Sequence, residues 1–315
     1  MNVLVTGGLG HIGSKLVRDL ALISEVKLIR ILDNLSTQRY CSLFNLPDTV
    51  KFEFIEGDIR NREDLARSLK GIDIVFHLAA ITDTTLSVNM PELTREVNYE
   101  GTVKVVQASV NNGVKKIIYP STTSVYGPCT GTVTEEWEDC KPASPYALYK
   151  LKGEEAVLES ARKGLIEGVV LRLGTIYGPS IGMRFHTAVN KFVFQACMGL
   201  PLTVWKDAYD QYRPYLDLSD AVQAFQLMME PGLGNGEVYN VLTENHTVRQ
   251  LVNIIRSYVP DVNIVFTKAP ILNQTSYYVD CSKIRRLGFE PKGNLSKSIK
   301  DTVDLMRSFI VGRLP

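Results

Sequence analysis

The stretch NVLVTGGLGHIGSKL, residues 2–16, constrains this chain more than any other. A short apolar run, NVLVTG, reads as a strand. It breaks at a glycine cluster and resumes as an amphipathic pattern over residues 11–23, which reads as a helix. Gly7, Gly10 and Gly13 space the turn as GxxGxxG. The first glycine permits unusual backbone angles. The second lets a pyrophosphate approach the main chain, and the third lets helix and strand lie close. The backbone N–H groups and the positive dipole end of the helix then face the phosphates. Glycine-rich turns are common, so the flanking strand and helix carry the argument as much as the glycines do.

An acidic residue sits where a dinucleotide site needs one. Asp33 ends KLIRILD (27–33), 20 positions beyond Gly13. A carboxylate there accepts hydrogen bonds from ribose hydroxyls and repels a 2′-phosphate, so NAD is expected over NADP. The plainer reading is a turn aspartate in LDNLS. Asp58, in EGDIR after the third strand, has two readings: a partner of the adenine amino group, or a cap for the helix at 61–70.

The strand–helix rhythm continues through KFEFIEG (51–57), IDIVFHLA (72–79), VKKIIYPS (114–121) and EGVVLRLG (167–174). Helix patterns fall at 61–70, 91–112 and 145–163. That alternation predicts βαβ units and a parallel sheet. The first, fourth, fifth and sixth strands are nearly continuous apolar runs, as strands buried on both faces are. The expected fold is α/β: a Rossmann-type doubly wound parallel sheet with a smaller C-terminal substrate-binding region. After residue 178 segments become longer and richer in Gly, Pro and aromatics. The expected division is 1–178 for the dinucleotide-binding domain and 179–315 mainly for substrate, with some later segments returning to the first.

Composition excludes several classes. The chain has 315 residues, 45% of them hydrophobic, enough for one large core or two modest ones. A net charge of +1 gives no electrostatic case for nucleic acid or an anionic membrane surface. Five cysteines without CxxC spacing predict free thiols in a reducing compartment, not a disulfide framework or zinc site. The four histidines do not cluster with carboxylates, so no metal is expected. His186 has no identifiable partner, and His246 reads as a loop residue. There is no basic leader, and no apolar run approaches the ~20 residues of a membrane span. A soluble cytoplasmic protein is the expectation.

The reactive group is sought in SPYALYKLKGEE (144–155). Ser144 suits a helix cap and Pro145 the first helical position. Tyr146 and Lys150 then stand at i and i+4, on one face. A phenol, with a pKa of about 10, is a poor base at neutral pH. A lysine ammonium beside it favours the phenolate and can also hold a nicotinamide ribose. Alone, the pattern is more often solvated helix surface. Behind a dinucleotide loop it becomes a proton-transfer device beside a hydride carrier. YPSTTSVYG (119–127) ends the fifth strand, so its hydroxyls face the crevice in which open α/β folds bind ligands.

Taken together, the chain resembles an extended short-chain dehydrogenase/reductase of the NAD-dependent nucleotide-sugar epimerase/dehydratase group, most of all the UDP-glucose/UDP-galactose 4-epimerases. The motifs are TGGLGHIG, LDNLS, GDIR, HLAA (77–80), EVNYEGT (96–102), YPSTTSVYG, PYALYK and LRLGTIYGP (171–179). The resemblance implies Tyr146 as catalytic acid/base, Lys150 as its partner and Thr122 as the hydroxyl on the reacting oxygen. It adds His11, Ile12, Asn34, Ile59 and Ser121 to the cofactor contacts. Leu78, Ala79 and Ala80 would line the nicotinamide side, and Asn98 would brace the loop at the site. Thr82, Thr122, Tyr146, Thr175, Asn190 and Arg213 would face the substrate. The helices near 91–112 and 145–163 would pair two subunits through a four-helix bundle.

The departures from the group's pattern matter. Dehydratases carry an Asp-Glu pair after the threonine; here Thr123 and Ser124 supply no carboxyl group. Thr175 replaces the usual Asn of N-x-Y-G-P, and Pro214 replaces the acid after Arg213. Arg184 is a further cation on the 180s loop, or plain surface. LTVW (202–205) borders the nucleotide base or is simply a buried strand. The expected function is NAD-dependent epimerisation of a nucleoside-diphosphate sugar, at C4 of a UDP-hexose. The alternatives are a reductase, dehydrogenase or dehydratase on the same scaffold, and a non-enzymatic dinucleotide sensor.

Overall fold

The computed structural model describes residues 1–268 and 276–307. Seven parallel strands build the main sheet: β1 (Asn2–Thr6), β2 (Leu28–Asp33), β3 (Lys51–Glu56), β4 (Ile74–His77), β5 (Lys116–Thr122), β6 (Glu167–Leu173) and β7 (Val238–Val241). Their order is β7-β6-β5-β4-β1-β2-β3. This is the expected Rossmann-type fold.

Alternating residues explain why the sheet is buried on both sides. Val3 and Val5 join one core with Leu16, Leu20 and Phe225. Leu4, between them, joins the opposite core with Leu65, Leu69 and Val105. In β4, Ile74 and Phe76 face the first core and Val75 the second. Both positions of the two-residue repeat are therefore apolar. Each fully buried Val, Leu or Phe contributes about 1.5–3 kcal/mol. The chain leaves β3 and re-enters the sheet at β4, on the other side of β1. The carboxyl ends of β1 and β4 thus flank the point where strand order reverses, and a crevice opens there.

Beyond residue 174 a three-stranded sheet forms from Thr175–Tyr177, Tyr212–Asp217 and Glu244–Thr247. A third core lies beneath it, with helices Ala188–Cys197, Val248–Tyr258 and Leu295–Arg307. His246 therefore lies in a strand rather than a loop, opposite Arg213. The segment ENHT has no apolar alternation. Ladder pairing with residues 212–215 makes it a strand.

The helix expected over 91–112 is interrupted. Pro91–Arg95 and Thr102–Asn111 are α-helical, but Glu96–Gly101 widens into a π turn. Asn61, not Asp58, caps the helix Arg62–Leu69: its side chain accepts from the backbone of Glu63 and Asp64. Among the described residues, no helix is long and apolar enough to cross a membrane. No group of three or more His, Cys, Asp or Glu among them could hold a metal.

Candidate active site

A cleft of about 680 Å³ runs over the carboxyl ends of the strands. Its first wall is the glycine loop. Gly7 has φ +65°, and a Cβ there would lie 2.7 Å from the Ala79 backbone. A Cβ on Gly13 would lie 2.6 Å from Gly8 Cα. Side chains at these positions would break the cradle, so its glycines fit a dinucleotide phosphate approaching bare backbone. Gly10, His11 and Ile12 continue this wall. Asp33 follows: its carboxylate accepts from Leu9 N at 3.1 Å and Leu35 N at 3.0 Å. Burial pushes the Asp33 carboxyl up, against those N–H groups and Arg39.

Asp58 lines the cleft with Asn34 and Ile59. Its carboxylate accepts from Asn34 Nδ2 at 3.0 Å and from the Arg60 guanidinium at 3.0 Å. Burial pushes it up, but the hydrogen bonds outweigh that and hold it at about 2. The Asp58 charge is thus fixed, and the capping reading falls because Asn61 does that work.

The segment 178–184 is clamped onto the glycine loop. Ser180 Oγ donates to His11 O at 2.9 Å, and Gly182 N donates to Ser14 Oγ at 3.0 Å. His11 Nε2 lies 2.8 Å from Gly178 O, and burial lowers its pKa to about 4. A Cβ on Gly182 would come within 2.4 Å of Leu9 O. His11 is a neutral strap in this arrangement.

Tyr146, Lys150 and Thr122 come together on the opposite wall. Ser144 caps their helix, Pro145–Arg162, by accepting from Ala147 N, and Ser87 Oγ accepts from Tyr146 N at 3.2 Å. Burial raises the Tyr146 phenol; the charge of Arg184 and a hydrogen bond with Thr122 pull it back. Here the expected electrostatics change. Lys150 Nζ lies 3.9 Å over the Tyr119 ring, and burial lowers its pKa to about 7, against the pull of Glu154. The charge of Arg184 favours the phenolate of Tyr146. Helical spacing brings Tyr146 and Lys150 to one face, but burial weakens the lysine's charge.

A buried network backs this wall. Ser121 Oγ donates to Glu154, and Glu154 pairs with Arg172 at 2.8 Å. Glu154 is eight residues after Tyr146 and four after Lys150, so the same helix periodicity could have flagged it. His77 bridges Thr6 Oγ1 at 2.8 Å and Thr102 Oγ1 at 3.0 Å. Burial, then the charge of Lys150, lowers its pKa to about 3, so it stays neutral.

Leu78, Ala79, Ala80, Thr82, Ser121 and Thr175 all line the cleft. Asn98, on the π turn, is buried. Its amide accepts from Ile81 N and donates to Ile81 O, both at 2.8 Å. Two expected substrate residues are placed elsewhere. Asn190 is fully buried; it accepts from Gly178 N and donates to Arg184 O, tying the 178–184 segment together. Arg213 does not line the cleft. Its guanidinium donates to Tyr212 O and Gln211 Oε1 and lies 5.3 Å over the Tyr277 ring. Arg184 is not plain surface: it lines the cleft with Arg39 and His186 and donates to Thr82 Oγ1. No local signal tells which long side chain of an irregular loop folds inward.

Fold and cleft together define a dinucleotide-binding α/β protein with a tyrosine–lysine pair at the mouth of its switch point. The chain belongs to the NAD dependent epimerase/dehydratase family, whose model matches residues 3–241. A UDP-glucose 4-epimerase of Mycolicibacterium smegmatis is 31% identical, over 98% of this chain and 99% of that one. A trifunctional UDP-glucose 4,6-dehydratase/UDP-4-keto-6-deoxy-D-glucose 3,5-epimerase/UDP-4-keto-L-rhamnose-reductase of Arabidopsis thaliana is 29% identical over 96% of this chain. The chain spans about half the length of that relative, 46%. The solved UDP-glucuronic acid 4-epimerase of Bacillus cereus, in complex with UDP-glucuronic acid and NAD, superposes with a TM-score of 0.89 at 28% identity, covering 98% of this chain and 100% of that one. NAD is the cofactor of this chain.

Proposed function

We propose that this protein epimerises a nucleoside-diphosphate sugar, most simply a UDP-hexose at C4. The observation that carries the reading is the meeting of Thr122, Tyr146 and Lys150 beside the glycine cradle, with Thr123 and Ser124 at the same cleft offering no carboxyl group. Elimination of water needs an added acid and base; epimerisation does not.

The residues would divide the work as follows. Gly7, Gly10, His11, Ile12 and Gly13 hold the phosphates of NAD. Asp33 and Asn34 meet a ribose, and Asp58 and Ile59 the adenine. Leu78, Ala79, Ala80 and Ser121 border the nicotinamide, with Asn98 bracing Ile81. NAD, when bound, supplies reversible hydride acceptance. Tyr146 Oη takes the proton of the sugar hydroxyl and later returns it. Thr122 donates to the reacting oxygen, which strengthens as that oxygen becomes the carbonyl of a transient 4-keto sugar. Thr82 and Thr175 face the sugar nucleotide. Residues 1–178 serve the cofactor and 179–315 mainly the substrate. Five free thiols support a reducing, cytoplasmic location.

We also propose a homodimer. Leu86, Val88, Met90 and Leu148 expose 41, 47, 44 and 37% of their surface near the helices expected to pair. Light scattering at micromolar concentration should read twice the 35.2 kDa of one chain.

The test of the reaction is a panel of UDP-hexoses with the NAD-loaded protein, products identified by NMR. Conversion should proceed with catalytic cofactor. A stoichiometric demand for NAD(H) would place the protein among net reductases or dehydrogenases. Tyr146→Phe should lower turnover roughly 10²–10⁴-fold while NAD binding persists. Unchanged turnover of every active sugar nucleotide would remove Tyr146 from its role.

A further inference from the structure

We infer that His77 is a positioning residue: held as the neutral tautomer with its proton on Nε2, it ties the strand that carries the glycine cradle to the wall at Leu78–Ala80. His77 ends β4 and Thr6 ends β1, and both are fully buried. Nδ1 of the imidazole lies 2.8 Å from Thr6 Oγ1, and Nε2 lies 3.0 Å from Thr102 Oγ1. The two hydroxyls decide which nitrogen carries the proton. Thr102 Oγ1 donates its one proton to Asn98 O at 2.9 Å, so toward His77 it accepts and Nε2 donates. Thr6 Oγ1 accepts from Ala79 N at 3.2 Å and makes no third hydrogen bond among the described residues. Its own proton therefore goes to Nδ1, which must be bare. A proton on both ring nitrogens would leave the Thr6 hydroxyl buried with no acceptor for its proton.

The chain so formed runs from Ala79 N through Thr6, His77 and Thr102 to Asn98 O. Asn98 closes it, because its side chain holds Ile81 N and Ile81 O, both at 2.8 Å. The segment after β4 is thus gripped at Ala79 by one arm and at Ile81 by the other, and both arms meet on one imidazole.

What the two arms fix is the fit between two walls. Thr6 immediately precedes Gly7. A Cβ on Gly7 would lie 2.7 Å from the Ala79 backbone, so cradle and wall already meet closely. The His77 ring also stacks on Tyr119, with centroids 5.8 Å apart and planes at 29°. Tyr119 in turn carries Lys150 Nζ at 3.9 Å. A misplacement of about 1 Å in such a setting can cost ~10²-fold in rate. The inference rests on the proposed reading only for the nicotinamide at Leu78–Ala80 and for the reaction assayed.

The test uses the NAD-loaded protein as wild type, His77→Asn and His77→Gln. The asparagine amide reaches the place of Nδ1 and keeps the Thr6 arm. The glutamine amide reaches that of Nε2 and keeps the Thr102 arm. Nitrogen-15 NMR should show the His77 ring, assigned by its loss in either variant, neutral and protonated on Nε2. Amide hydrogen exchange should rise about tenfold at Ile81 in His77→Asn and at Ala79 in His77→Gln, with Val3, Leu4 and Val5 unchanged. Turnover of the active UDP-hexose should fall roughly 10–10²-fold in both variants, mostly in kcat. Thr102→Val cuts the same arm as His77→Asn and should repeat its pattern, so it stands in if a His77 variant fails to fold. A wild-type ring protonated on Nδ1 would overturn the inference. So would exchange that rises evenly along β1 and β4, the mark of a merely structural residue, or unchanged turnover behind the expected exchange pattern. If the wild type converts no UDP-hexose, the epimerase reading fails, and the tautomer and exchange pattern alone decide whether His77 ties cradle to wall.

Discussion

Gly153→Ala sets two known effects against each other at the back of the site. Gly153 lies inside the helix Pro145–Arg162. In an open helix the change would stabilise by about 1 kcal/mol through helix propensity. Here the added Cβ would stand 2.2 Å from Tyr119 Oη and 2.8 Å from its Cζ. That is about 1 Å inside ordinary contact. Tyr119 is 1% exposed, so its ring has no solvent to move into. Overpacking of this kind costs about 1–3 kcal/mol, and a rigid, enclosed ring belongs at the upper end. The net loss should be about 2 kcal/mol. With an unfolding entropy of about 2.1 cal/mol/K per residue, a chain of this length should lose roughly 3 °C in Tm. The displacement should also reach the chemistry. Tyr119 carries Lys150 Nζ on its face at 3.9 Å, and the His77 ring stacks against it at 5.8 Å. A ring pushed away from Gly153 moves the seat of Lys150, and a misplacement of about 1 Å can cost as much as ~10²-fold in rate. Scanning calorimetry and single-substrate kinetics on the same preparation check both parts. A Tm that rises, with turnover unchanged, would refute the reasoning: propensity would have won and the Tyr119 seat would not matter.

Two further outcomes follow from the same wall. Glu154→Gln should leave the Arg172 guanidinium, whose side chain is 7% exposed, without its counter-charge. Removing one partner of a buried pair costs about 3–5 kcal/mol, which here is about 5–8 °C of Tm; a loss below about 1 °C would show that the pair is not holding the wall. Lys150→Met should be more stable than the wild type below pH 7, with the difference shrinking as pH rises. Burial puts the folded-state pKa of Lys150 at about 7, below its ordinary 10.5, so the unfolded chain binds more protons between these values. Stability linked to Lys150 is therefore lowest below pH 7 and recovers above it. Melting curves of both proteins from pH 6 to 9 check this, and a constant difference would count against the burial argument.

Much of the fold was legible before any coordinates. Strand runs such as VLV (3–5) and IVF (74–76) are apolar at every position, and only burial on both faces asks for that. The glycine loop was legible because backbone geometry and phosphate approach both demand residues without Cβ. The strand holding His246 was not, since ENHT is polar and becomes a strand only by pairing with residues 212–215. Nor was the π turn at Glu96–Gly101, whose residues are compatible with an ordinary helix. Asn190 and Arg213 sat at the expected positions in the chain, yet their side chains are spent on loop and strand backbone.

The sequence alone determined the sheet, the cofactor cradle and the pairing of Tyr146 with Lys150, because each rests on short-range periodicity or on residues that only one geometry tolerates. The tertiary structure decided where the charges act. It buried Lys150 over the Tyr119 ring, which lowers its pKa, and it turned Arg184, 38 residues from Tyr146 along the chain, into the same cleft. Charge and dielectric depend on distance through space and on burial, and neither is written in the spacing of residues along a chain.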